Sequence, residues 1–192
     1  MIDIIELSEE AHEISVNHGW WDQQCPEHQI RILIVSEISE ALEDYRKSKN
    51  LRAITVNDRG VESGIDALEF EGKSDDLLKI VGGNHKPTGF PTEIADIVIR
   101  CSDWIGSFED DDLAKVIRLQ LRNWVPTGET DIVKMLDDAT GSMYPFLNDG
   151  LVTTIGTCYD IANVVKFNLD DAIRVKCAYN KTRPMHHGGK KI

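Results

Sequence analysis

Apolar residues recur with the period of an α-helix through residues 30–45 and again through 94–105, which commits both stretches to packed helices. Ile30, Leu33, Ile34, Ile38, Ala41, Leu42 and Tyr45 make one stripe, and Ile94, Ile97, Val98, Cys101, Trp104 and Ile105 make the other. Each helix also carries two acids three residues apart: Glu37 with Glu40, and Glu93 with Asp96. Three residues is nearly one turn, so the members of a pair share a face. Glu37 falls inside its stripe, where an ionised carboxylate is costly unless it is paired or metal-bound. Glu40 lies at the stripe's edge, and Glu93 and Asp96 border theirs in line with Arg100 and Asp103. Glu43 and Asp103 read as solvated flanks. If the two helices pack side by side, four carboxylates converge and need a neutralising partner. For an all-oxygen set the usual partner is Mg²⁺, which phosphates also bind, so the pattern points to phosphate chemistry.

The rest of the chain reads as mostly helical, an all-α bundle. A first helix is expected from Glu6 to Asn17, ended by Gly19 and followed by Trp20 and Trp21. Pro26 is placed to open the second, which runs to Lys49. Residues 51–90 are glycine-rich and polar, with short apolar runs at Ile54–Val56 and Leu77–Val81, and read as a long loop with a short hairpin. Pro91 starts the third helix, which ends near Gly106. The acidic run Glu109–Asp112 suits a helix N-terminus, and Leu113–Trp124 continues it. Further helices are expected over 129–140, over Leu151–Lys166 and after Asn168, a suitable cap, with Pro184 and Gly188-Gly189 stopping the last.

The net charge of −12 excludes a broad basic surface for a nucleic-acid polymer. Residues 172–192 nevertheless contain no acid and six basic side chains: Arg174, Lys176, Lys181, Arg183, Lys190 and Lys191. An acidic body with a basic end suits an anion bridged by metal. Neither a membrane-length apolar run nor a signal segment is present, so a cytoplasmic location is expected. Cys25, Cys101, Cys158 and Cys177 lack metal-site spacing, and Cys101 and Cys177 read as buried thiols. In the second helix Ile32 and Val35 lie off the main stripe, leaving its first half apolar all round and in need of a covering partner.

Taken with the stretches HGWWD (His18–Asp22) and KCAYNKTRPMHHGGKKI (from Lys176), the two acid pairs resemble the MazG-like all-α nucleoside triphosphate pyrophosphohydrolases, phage-type members included. The likeness covers residues 1–50, 86–106 and 168–192, as a single domain over 1–192 with an insertion at 51–85 and a basic tail at 184–192. It implies hydrolysis of an NTP or dNTP to the monophosphate and pyrophosphate. Glu37, Glu40, Glu93 and Asp96 would hold Mg²⁺ or Mn²⁺, with Glu40 and Glu37 catalytic and Glu40 favoured as the proton acceptor. Lys176, Asn180 and Arg183 would bind phosphate and sugar, Trp21 would stack on the base, and His18 would touch it. His186 and His187 read as solvated. A homodimer or homotetramer is implied. Two alternatives stay open: a hydrolase of deoxynucleoside diphosphates or ppGpp-type alarmones, and a non-enzymatic helical module binding metal or a partner. The spacing between Glu40 and Glu93 is wider than is usual in that family.

Overall fold

The computed structural model of the protein describes residues 1–23, 25–58, 61–66, 78–79, 81–82, 85–108, 111–144 and 147–186. Seven named helices and three strands lie among the described residues. In chain order they are α1 (Ile4–Asn17), α2 (Glu27–Lys47), β1 (Ala53–Asp58), β2 (Val61–Asp66), β3 (Lys86–Thr88), α3 (Phe90–Gly106), α4 (Asp111–Arg122), α5 (Ile132–Ser142), α6 (Leu147–Val165) and α7 (Leu169–Asn180). The expected helical character holds, with a small sheet between α2 and α3.

Helix α3 is the axis of the bundle. Phe90, Ile94, Ala95, Ile97, Val98 and Cys101 are inaccessible to solvent, because α1, α2, α6 and α7 all pack on this helix. Each such large apolar side chain contributes roughly 1.5–3 kcal/mol relative to exposure. The position of α3 is therefore among the best fixed in the molecule, and with it the positions of Glu93 and Asp96. Pro91 sits in the first turn, where its missing N–H costs nothing. Gly89 precedes the helix at φ +116°, and a Cβ there would lie 2.5 Å from the Ala53 carbonyl oxygen. Only glycine fits a turn that both reverses the backbone and touches β1.

The sheet has the order β2-β1-β3 and is antiparallel throughout. Ile54 and Val56 alternate inward from β1 onto the helices, as the two-residue period of a strand requires. The β1–β2 pairing falls within the stretch where a short hairpin is expected, and β3 adds a third strand that the sequence reading does not include. Its register pairs Thr55 with Thr88, whose hydroxyls are 2.8 Å apart.

Helix boundaries follow local chemistry. The Asp3 carboxylate caps α1 by accepting from the Ile5 N–H, and the Asn168 side chain caps α7 by accepting from the Asp171 N–H. The last helix stops at Asn180 rather than at Pro184. The N–H of Thr182 turns back to the Tyr179 carbonyl and that of Arg183 to Asn180, so the helix unwinds into a turn that carries Arg183. Glu109, His187, Lys190 and Lys191 lie outside the described residues. Cys101, Cys158 and Cys177 are buried free thiols whose pKa values burial pushes up. Among the described residues, no helix is long and apolar enough to cross a membrane.

Candidate metal centre

Helices α2 and α3 lie against each other, and their facing sides carry the acid pairs. Carboxylate oxygens of Glu37, Glu93 and Asp96 all lie within 4.8 Å of one another. Glu93 is buried at 6 % exposure, while Glu37 and Asp96 are half-buried. Glu40, one turn along α2, is exposed and lines the cavity above the other three instead of joining their cluster. Three hard oxygen donors from two rigid helices could hold a divalent cation such as Mg²⁺ or Mn²⁺.

The electrostatics show how tightly these acids are held together. Burial pushes the Glu93 carboxyl up to about 7, against the pull of Lys176. Burial first, and then the neighbouring Asp96, raise Glu37 above the usual carboxylate range, while Arg100 opposes both. One buried and one half-buried cation face the cluster. Lys176 from α7 places Nζ 2.5 Å from Asp96 Oδ2, and Arg100 from α3 donates Nε–H to Glu37 Oε1 at 3.2 Å. Burial disfavours the charge on both, yet Asp96 and Glu37 hold each of them above its ordinary pKa.

Above the carboxylates opens a cavity of about 180 Å³. Glu37, Glu40, Asp96, Lys176, Asn180 and Arg183 meet around it, so the acid pairs and the C-terminal motif share one site. The Asn180 side-chain oxygen is buried without a hydrogen-bond partner. The Arg183 guanidinium lies 5.7 Å over the Tyr179 ring, and burial lowers its pKa. Tyr179 itself is core. The apolar part of the lining comes from Ala11, Ile14, Leu33, Ile99 and Trp20.

Trp21 and His18 do not line this cavity. Trp21 turns away, donating Nε1–H to Asp103 Oδ1 at 3.0 Å and meeting the His12 ring edge-on at 5.0 Å. It is the neighbouring Trp20 that forms the wall, with the Arg100 guanidinium 5.7 Å over its ring. His18 is buried at the end of α1, its Nδ1 2.6 Å from the Ile14 carbonyl oxygen. His186 is docked: its N–H reaches the His18 carbonyl and its Nε2 lies 3.0 Å from the Gly19 carbonyl oxygen. Gly19, at φ +79°, leaves no room for a Cβ, which would sit 2.4 Å from His186 Nε2. This closure brings the turn that bears Arg183 back over the cavity.

Three residues take part at the site in ways that the sequence does not assign them: Arg100, Lys86 and Asp103. The signal for Arg100 and Asp103 was present, since both continue the line of Glu93 and Asp96 along α3. Asp103 is not the solvated flank expected of it. It is buried at 7 % exposure because His12 and Ser15 of α1 and Trp21 of the following turn all direct donors at it. Lys86, the first residue of β3, reaches the cavity through a strand pairing that no local pattern announces. Comparison of the chain with family models, with curated proteins and with solved structures finds no significant match.

Proposed function

We propose that the protein is a Mg²⁺-dependent nucleoside triphosphate pyrophosphohydrolase of MazG-like type, releasing pyrophosphate and leaving the nucleoside monophosphate. The observation that carries this reading is the Glu37–Glu93–Asp96 cluster at a cavity lined both by the cations Lys86, Arg100, Lys176 and Arg183 and by apolar side chains that include Trp20. A nucleotide calls for both kinds of lining: it has charged phosphates at one end and a flat base at the other.

Glu37, Glu93 and Asp96 are the residues that would hold the cation. When bound, Mg²⁺ would neutralise phosphate charge and lower the pKa of a coordinated water. The chain's own residues do the rest. Lys176 and Arg183 supply countercharge to the phosphates, Arg183 as a two-pronged donor. The unpartnered oxygen of Asn180 accepts a hydrogen bond from a sugar hydroxyl or a base N–H. Trp20, held under Arg100, offers the base a flat face, and the apolar residues around it exclude water. Glu40, exposed at the mouth, takes the proton of the attacking water.

Incubation with Mg²⁺ and each common NTP and dNTP, followed by chromatography, is expected to give monophosphate and pyrophosphate from at least one of them, and nothing in EDTA. Inert triphosphates, with monophosphate and orthophosphate formed from deoxynucleoside diphosphates in a parallel incubation, would instead indicate a diphosphate hydrolase. No turnover of any nucleotide, ppGpp included, would leave a binding module.

The assembly belongs to the same proposal. Ile32 is 56 % exposed on α2, the helix that carries Glu37, and a second copy covering it gives a homodimer or homotetramer. Light scattering at micromolar concentration is expected to return a multiple of the 21.6 kDa chain mass, and a monomer mass would reject it.

A further inference from the structure

Lys176 enters the carboxylate cluster from α7. It is 3 % exposed, its Nζ is 2.5 Å from Asp96 Oδ2, and its ammonium also faces Glu93 and Glu37. Those are the three residues whose oxygens come together within 4.8 Å. A lysine ammonium is a compact point charge, so in this position it gives the three acids what a bound cation would give them. Ammonium and divalent metal cannot both sit on the same carboxylates, because two cations a few ångströms apart in a poorly hydrated site repel strongly.

The side chain has somewhere else to go. Lys176 also lines the cavity, one helical turn from Asn180 and with Arg183 in the same lining, and its flexible stem lets Nζ turn from the acids toward that space. Arg100 does not share this freedom, being pinned between Glu37 and the Trp20 ring.

We propose that Lys176 is a built-in counter-ion: it occupies the carboxylate cluster while no metal is present, is displaced from Asp96 when a divalent cation binds, and then turns its ammonium to the anionic portion of the ligand in the cavity. The proposal rests on the metal-centre reading above. Its consequence has an unusual sign. Removing the ammonium leaves uncompensated charge in the metal-free protein only, so the variant binds metal more tightly although it catalyses less well. A lysine that merely touched phosphate would leave metal affinity unchanged in the absence of nucleotide. One that shaped the metal site would weaken it when removed.

The test is a calorimetric titration of Mn²⁺, without nucleotide, into the wild type, Lys176→Met and Lys176→Arg. Lys176→Met is expected to bind about tenfold more tightly than wild type or better, and Lys176→Arg, which keeps the charge, to stay close to wild type. Equal or weaker binding by Lys176→Met overturns the proposal while the metal centre stands. If neither wild type nor Lys176→Met takes up Mn²⁺ at millimolar concentration, the metal centre itself is rejected and the proposal with it. Should Lys176→Met not fold, amine acylation of the wild type read by mass spectrometry decides the matter. Lys176 is expected to be protected without metal and modified with Mn²⁺ bound; protection in both states overturns the displacement.

Discussion

Glu93→Gln is expected to abolish metal-dependent turnover, lowering it by about 10²–10³-fold or more, while leaving the metal-free protein as stable as the wild type or more so. The two halves of this result come from one fact. Glu93 is buried beside other acids, so its carboxylate is an electrostatic burden on the fold that Lys176 offsets only in part and a bound cation would relieve further. Gln keeps the volume and hydrogen-bonding capacity but removes the charge. Melting curves in EDTA and in Mg²⁺ separate the halves: the variant should match wild type in EDTA and gain nothing from Mg²⁺. A variant that keeps both turnover and Mg²⁺ stabilisation would show that Glu93 is no ligand.

The same group predicts a pH dependence whose sign is opposite to that of an ordinary ion-paired acid. Glu93 titrates at 4.5 without the folded environment and at about 7 within it. Its folded-state pKa is raised, so the folded protein holds this proton more tightly than the unfolded chain does. The associated stability is fully present below 4.5 and is lost as pH rises through about 7. Glu37, raised for the same first reason of burial, acts in the same direction. Metal and proton compete for these oxygens, so Mg²⁺ affinity rises over the interval in which metal-free stability falls. The difference between wild type and Glu93→Gln, measured by urea unfolding across that interval in EDTA, isolates the contribution of Glu93.

How much of this was legible in the sequence depends on whether the cause was local. The stripes of α2 and α3, the Pro26 and Asn168 helix starts and the same-face placement of each acid pair follow from helical period and capping, and each is found in the fold. Strand β3 is different. Residues 86–88 are extended because Thr88 pairs with Thr55, more than thirty positions away, and nothing in the residues themselves demands it. The two tryptophans were ambiguous for a related reason. Adjacent aromatic residues in a turn point in different directions, and which one faces the cavity is decided by Asp103, which captures the indole N–H of Trp21. Asp103 sits at the border of an apolar stripe, a position compatible with solvent or with a buried polar network. Only the approach of α1 distinguishes them. The convergence of the acids was itself partly legible: three meet as the spacing suggested, while Glu40 stays at the rim, some 60° further round its helix than Glu37.

Asp103→Ala is expected to be the most damaging single substitution near the site, destabilising the protein by about 3–5 kcal/mol. The carboxylate accepts from His12 Nδ1 and Trp21 Nε1 at one oxygen, each at 3.0 Å, and from the Ser15 hydroxyl at the other, at 2.6 Å. At 7 % exposure there is little water to replace it, so truncation strands three donors and removes a negative neighbour of half-buried Arg100. Asp103→Asn should cost less, because its amide oxygen still accepts, although its N–H groups now face donors on one side. Trp21→Phe, which deletes one donor and leaves the acceptor served by two others, should cost less than Asp103→Ala. Urea unfolding of the three variants gives the ranking. A loss below about 1 kcal/mol for Asp103→Ala would show that the donors find other partners and that Asp103 does not hold this corner together. The proposed activity depends on the same geometry. Asp103 ties α1 and the tryptophan turn to α3, the helix that carries Glu93, Asp96 and Arg100. A molecule that lost this tie would loosen the Trp20 wall relative to the carboxylates, so Asp103→Asn, if it folds, should raise KM for the nucleotide more than it lowers kcat.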